Sequence, residues 1–125
     1  APGQLVFYFI LHMKKLPFQP TELTKKILET TSSVLSSYDL THKIDAHDPG
    51  VFVNNEKVAS IGMRIKKNYS YHGLSINIKT DLKTFNSIKP CGLNVRACNL
   101  KDYIDINVDK FKKDLLNKFQ QMLDK

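Results

Sequence analysis

Cysteine occurs only twice in these 125 residues, at positions 91 and 98. So few thiols exclude a disulfide-built scaffold; a single Cys91–Cys98 bridge stays open, and a reducing compartment is the better expectation. No apolar stretch approaches the ~20 residues of a membrane-spanning helix, and the longest, Leu5 to Leu11, is only strand-like in length. No membrane association is therefore expected. The histidines (His12, His42, His47 and His72) stand at no zinc-ligand spacing, so no metal is expected either. No secretory signal is recognisable, and because Ala1 follows no initiator methionine the chain reads as processed or trimmed. Acids are scarce, 12 against 19 Lys and Arg, for a net charge of +7.

That excess is concentrated. From Lys57 to Arg96 lie eight basic residues (Lys57, Arg64, Lys66, Lys67, Lys79, Lys83, Lys89, Arg96) and a single acid, Asp81. A surface of this sign steers acidic partners. Nucleic acid is not expected, because zinc-finger spacing, a basic zipper and an aromatic RNA-binding box are all missing.

What is present reads as one domain, residues 1–125. "QLVFYFIL" is rich in β-formers and predicts a strand buried on both sides. After "LPFQP", Thr21 is placed to cap a helix whose Leu23, Ile27, Leu28, Val34 and Leu35 recur at helical spacing; "SSYD" ends it. A polar loop through His47 reaches "DPG", a turn into the short strand "VFV". Asn54-Asn55 predicts a hairpin turn into "KVASIGMRI", and after a bridge from Lys66 to Tyr69 the alternation of "YHGLSINI" predicts another strand. "DLKTFNSI" has room for one or two helical turns. From Val108 onward, Val108, Phe111, Leu115, Leu116, Phe119, Met122 and Leu123 form one apolar stripe of a final helix. The order gives an α+β class: a mixed, mostly antiparallel sheet with flanking helices.

The second region of interest is "SIKPCGLNVRAC". Pro90 and Gly92 set Cys91 in a turn, where a side chain tends to reach the surface. Taken in order, "PGQLVFY", "DPGVFV", "EKVASIGMRI", "YHGLSINI", "DLKTF" and "IKPCGL" make the chain resemble the lipoyl (octanoyl) transferases, the octanoyl-[acyl-carrier-protein]-protein N-octanoyltransferase family. The likeness runs from Pro2 to about Leu100.

The resemblance implies a biotin/lipoyl protein ligase-like fold and a cysteine–lysine mechanism. Cys91 matches the nucleophile that takes an octanoyl or lipoyl group from acyl-carrier protein, and Lys57 the residue that lowers its pKa. The acyl group would pass to a lysine of lipoyl domains, those of 2-oxoacid dehydrogenases and of the glycine cleavage H protein. It implies no cofactor beyond the carrier's phosphopantetheine. Ser60, Ile61 and Gly62 match one acyl-binding segment, and Gly73, Leu74 and Ser75 another; His72 and Asn77 enter as further candidates. The compartment would be cytoplasmic in a bacterium, mitochondrial or plastid in a eukaryote. An Arg-Gly-Gly element and a Tyr-His pair that the family carries before this point are absent, and "APGQ" stands for its "GPGQ". That leaves an N-terminally truncated catalytic domain, a chain completed by another, or a shortened relative. Two other readings stay open: a binding module for acidic carrier or lipoyl domains, and an ATP-dependent lipoate-protein ligase.

The chemistry is physically sufficient. A cysteine of pKa near 8.5 is only about 3% thiolate at pH 7. An ammonium at ~4 Å contributes a few kcal/mol at an effective dielectric of about 20. Lowering the pKa by two units takes only ~2.7 kcal/mol.

Overall fold

A computed structural model describes residues 3–15, 19–83 and 96–124. It contains β1 (Gln4–His12), α1 (Pro20–Ser37), β2 (Lys43–Asp45), β3 (Gly50–Val53), β4 (Glu56–Lys66), β5 (Tyr69–Asn77) and α2 (Val108–Leu123). The strands make one sheet in the order β1-β5-β4-β3-β2, with every neighbouring pair antiparallel. One parallel bridge, Lys57 to Ala97, joins at the start of β4. The expected α+β class, with a mixed, mostly antiparallel sheet, is what forms.

Local chemistry accounts for the connections. Asn54 and Asn55 both take positive φ (50° and 65°), which a two-residue hairpin turn requires and asparagine tolerates. The β4–β5 turn uses Lys67 at φ 56°. Asn107 caps α2, its side chain accepting from the Lys110 N–H.

Period-2 alternation sorts the sheet into two faces. Phe7 and Phe9 of β1 point to α2, where both meet Phe119 edge-on at 5.5 and 4.9 Å. Such pairs contribute about 0.5–1.5 kcal/mol each beyond the area they bury. Their cross-strand partners Leu74 and His72 share that face, and so do Ile61 and Met63 of β4. Leu23, Ile27, Leu28, Val34 and Leu35 of α1 are buried, as are Phe111, Leu115 and Phe119 of α2. Both helices therefore cover one side. No helix among the described residues is long and apolar enough to cross a membrane.

Several sequence expectations need correction. β1 is an edge strand covered on one side only: Val6, Tyr8 and Ile10 alternate with its buried phenylalanines and remain exposed, Tyr8 at 77%. Thr21 does not cap α1. Gln19 is the N-cap, because Pro20 supplies a preset φ and lacks the N–H that the first helical position leaves unbonded anyway. The loop before "DPG" contains β2, three exposed residues that pair with β3. Leu116 falls outside the buried stripe of α2. The helical expectation for "DLKTFNSI" lies beyond the described residues after Lys83, and so does the Pro90-Cys91-Gly92 turn.

Candidate active site

The two segments matched by resemblance lie side by side. In the β4–β5 ladder Ser60 faces Ser75, Ile61 faces Leu74 and Gly62 faces Gly73. Alternation sends Ile61 and Leu74 into the core, at 7% and 0% exposure. It leaves Ser60, Gly62, Gly73 and Ser75 on the face away from the helices. The glycines give this face a floor of bare backbone. A Cβ on Gly62 would meet nothing within 4 Å, and one on Gly73 only the Tyr8 ring at 3.7 Å. Tyr8 and Ile10 of β1 and Met63, Arg64, Tyr71 and His72 complete the lining of a depression of about 330 Å³. Arg64 lies over the Tyr71 ring at 5.7 Å.

Lys57 stands at the head of this floor. Its backbone is held on both sides of the peptide, its N–H donating to Arg96 O (2.8 Å) and its carbonyl accepting from Cys98 N–H (2.9 Å). Its side chain is 19% exposed, and Nζ donates to Asp48 Oδ1 at 2.7 Å. The ammonium lies 5.4 Å from the centre of the Phe52 ring. The stem crosses Gly50, where a Cβ would come within 2.9 Å of Lys57 Cε. Gly50 pairs with Ser60, which places the Lys57 stem on the same face as Ser60 and Gly62. Cys91 lies outside the described residues.

The basic stretch changes meaning in three dimensions. Lys57 is paired with Asp48, and Arg96 lies 3.7 Å from Glu56, both acids standing outside the stretch in sequence. The Arg96 pair is largely solvated and contributes little to stability.

His72 and Asn77 occupy the other face or its border. His72 is 1% exposed, and its Nε2–H donates to Pro20 O at 3.1 Å, tying β5 to the start of α1. Its Nδ1 has no hydrogen-bond partner among the described residues. Asn77 accepts from Gln4 Nε2 (2.8 Å) and donates to Cys98 O (3.2 Å), joining the start of β1 to the segment beside Lys57. Both act as structural ties in this arrangement. Cys98 is buried, its thiol donating to Glu56 O at 3.5 Å, and burial, helped by Glu56 and Asp102, pushes its pKa up to about 12.

His72 carries a measurable consequence. Burial holds its imidazole below the ordinary histidine range, with the Pro20 carbonyl opposing in part. The unfolded chain then binds a proton that the folded chain resists. Stability should be unaffected by this group above about pH 6.5 and fall as pH drops from there toward the folded value. Thermal unfolding followed down to about pH 5 should show that decline, and His72→Gln should flatten it. An unchanged slope in the variant would show that His72 contributes nothing to the acid sensitivity.

Sequence reasoning passed over two groups. Asp48 read only as part of a turn, nine positions from the lysine it holds. A Ser–His contact was also missed: Ser32 Oγ lies 2.6 Å from His42 Nε2, and His42 Nδ1–H donates to Leu40 O at 2.7 Å. Ser32 sits mid-helix, where backbone N–H groups are already bonded within α1 and offer nothing to a developing oxyanion. The contact fastens the loop before β2 to α1.

Residues 1–120 match the family model for the lipoyl protein ligase A/B catalytic domain. The octanoyltransferase of Saccharophagus degradans is 40% identical over 106 residues, 84% of this chain and 49% of that protein. That of Wigglesworthia glossinidia brevipalpis is 36% identical over 125 residues, covering 98% and 58%. The chain thus spans about half the length of the curated relatives it matches. Among solved structures, the bi-partite lipoate protein ligase of Thermoplasma acidophilum superimposes with a TM-score of 0.75 at 15% identity, over 98% of this chain and 52% of that one. That likeness concerns the fold.

Proposed function

The chain belongs to the family of lipoyl protein ligase A/B catalytic domains, and from that premise we propose that it transfers an octanoyl group through Cys91. In the first step the Cys91 thiolate attacks the thioester carbonyl of an octanoyl-acyl-carrier protein. The carbon–sulfur bond to the carrier's phosphopantetheine breaks, and its thiolate leaves and takes a proton. In the second step the ε-amine of a lipoyl-domain lysine attacks the Cys91 thioester, loses a proton and forms the amide, and the Cys91 thiolate is released. Exchange between thioesters is nearly balanced in free energy, and the amide is the stable product. Neither step calls for ATP.

The observation that carries this reading is the placement of Lys57. Its half-buried ammonium sits on the same sheet face as the backbone floor formed by Ser60, Gly62, Gly73 and Ser75. The chain segment that begins at Arg96 is bonded to Lys57, and the five-residue step back to Cys91 spans at most ~18 Å, a chain length compatible with the proposed pairing of the two side chains. An octanoyl chain laid along the floor would contact Tyr8 and Ile10. Arg64, Lys66 and Lys67 offer positive charge for an acidic carrier.

The test is the intact mass of the protein after incubation with octanoyl-acyl-carrier protein and no nucleotide. Gain of one octanoyl group, removed by hydroxylamine as a thioester is, supports the reading. Acylation that requires ATP and free octanoate would replace it with ligase chemistry.

A further inference from the structure

We infer that Asp48 is a positioning residue that fixes the Lys57 ammonium over the sheet floor; this rests on the proposed role of Lys57 toward Cys91. The turn that carries Asp48 is itself held from both ends. Within it, Asp45 Oδ1 accepts from the backbone N–H of His47 (2.8 Å) and of Asp48 (3.4 Å). Pro49 O then accepts from Ile61 N–H at 3.2 Å, tying the turn to the middle of β4. A carboxylate mounted on so constrained a loop is a fixed point for a flexible side chain.

Lysine is flexible by nature: four rotatable carbons separate its charge from the backbone, and three donors accept many geometries. Here three contacts remove that freedom. Asp48 takes the head at 2.7 Å, the Phe52 ring covers it at 5.4 Å, and Gly50 leaves a slot for the stem. Phe52 and Gly50 restrict where the stem passes, but only Asp48 is a directional partner. The remaining charges near Lys57 are engaged elsewhere. Asp45 accepts the two turn N–H groups, which, more than Lys57, hold its pKa below the usual carboxylate value. Glu56 and Arg96 face each other, and His47 is exposed on the turn. Nothing else among the described residues is placed to hold Nζ.

The experiment is a double-mutant cycle on the rate of octanoyl uptake from octanoyl-acyl-carrier protein, with thermal unfolding recorded alongside. Asp48→Ala should slow uptake at saturating donor by about tenfold or more, the scale expected for a misplaced catalytic group. Asp48→Asn, which still accepts a hydrogen bond from Nζ, should recover most of the rate and covers the case in which the alanine variant fails to fold. In a Lys57→Met background neither change should slow the reaction further, because there is no ammonium left to place. Losses that multiply in the double variant, or a native rate for Asp48→Ala, overturn the inference. A slow Lys57→Met beside a native-rate Asp48→Ala removes this inference alone. A native rate for Lys57→Met removes it together with the proposed role of Lys57.

Discussion

Cys91→Ser is expected to take up no measurable octanoyl group where the native protein is acylated, a loss of at least about 10³-fold in rate. The size follows from acidity. A few kcal/mol of attraction to an ammonium moves any neighbouring acid by roughly two pKa units. For a thiol near 8.5 that shift makes the anion the major form at pH 7. For an alcohol, a far weaker acid close to water, the same shift leaves almost no anion at pH 7. The Lys57 ammonium is therefore useful to a sulfur nucleophile and nearly useless to an oxygen one. Any ester that did form on serine would also resist the second step, since an alkoxide is a poorer leaving group than a thiolate. Cys98→Ser provides the contrast: that thiol is buried, donates to Glu56 O and is pushed up to about 12, so its loss should leave acylation at the native rate. Intact mass and stopped-time acylation rates on the two variants decide the matter. A Cys91→Ser protein that acylates within about tenfold of native would take the cysteine out of the mechanism.

How much of this arrangement the sequence disclosed depends on the range of the interactions involved. "YHGLSINI" was readable as a strand because alternation is local, and Asn54-Asn55 as a turn because asparagine tolerates positive φ. Burial of a strand's second face is not local. The composition of "QLVFYFIL" is the same whether or not anything covers Val6, Tyr8 and Ile10, and here β1 ends up at the sheet edge with those residues exposed. β2 had no pattern to read; its three exposed residues become a strand only because β3 offers an edge. Thr21 failed as a cap because Pro20, one residue earlier, fits the first helical position better. At the site, family likeness singled out two short segments, and pairing in the β4–β5 ladder set them opposite each other. Asp48 carried no such flag. A carboxylate in a turn is common, and only the β3–β4 pairing swings it onto Lys57.

Two glycines of the sheet differ in the same non-local way. Gly50 and Gly62 both lie in the sheet on paired strands, Gly62 two positions beyond Ser60, the partner of Gly50, and the sequence does not show how different the space around them is. Their surroundings are opposite. A Cβ at Gly50 would stand 2.4 Å from Ala59 O and 2.9 Å from Lys57 Cε, whereas one at Gly62 would meet nothing. The Ala59 carbonyl is backbone and cannot swing aside as a side chain would. Gly50→Ala must therefore push the strands apart, evict the Lys57 stem, or both. A cost of about 2–3 kcal/mol is expected for overpacking of this kind, lowering Tm by roughly 10 °C in a domain of this size. Octanoyl uptake should fall with it, because the displaced stem takes the ammonium off Asp48. Gly62→Ala should leave Tm unchanged or slightly raised, since alanine costs less than glycine in a strand. Yet it adds a methyl to the proposed floor of the acyl site, so octanoyl uptake should slow more than uptake of a shorter acyl group. Unfolding midpoints and acylation rates of the two variants separate the effects: Gly50→Ala melting with the native protein would mean the Lys57 stem has room to move. Gly62→Ala transferring every chain length at the native rate would place the acyl chain away from this face.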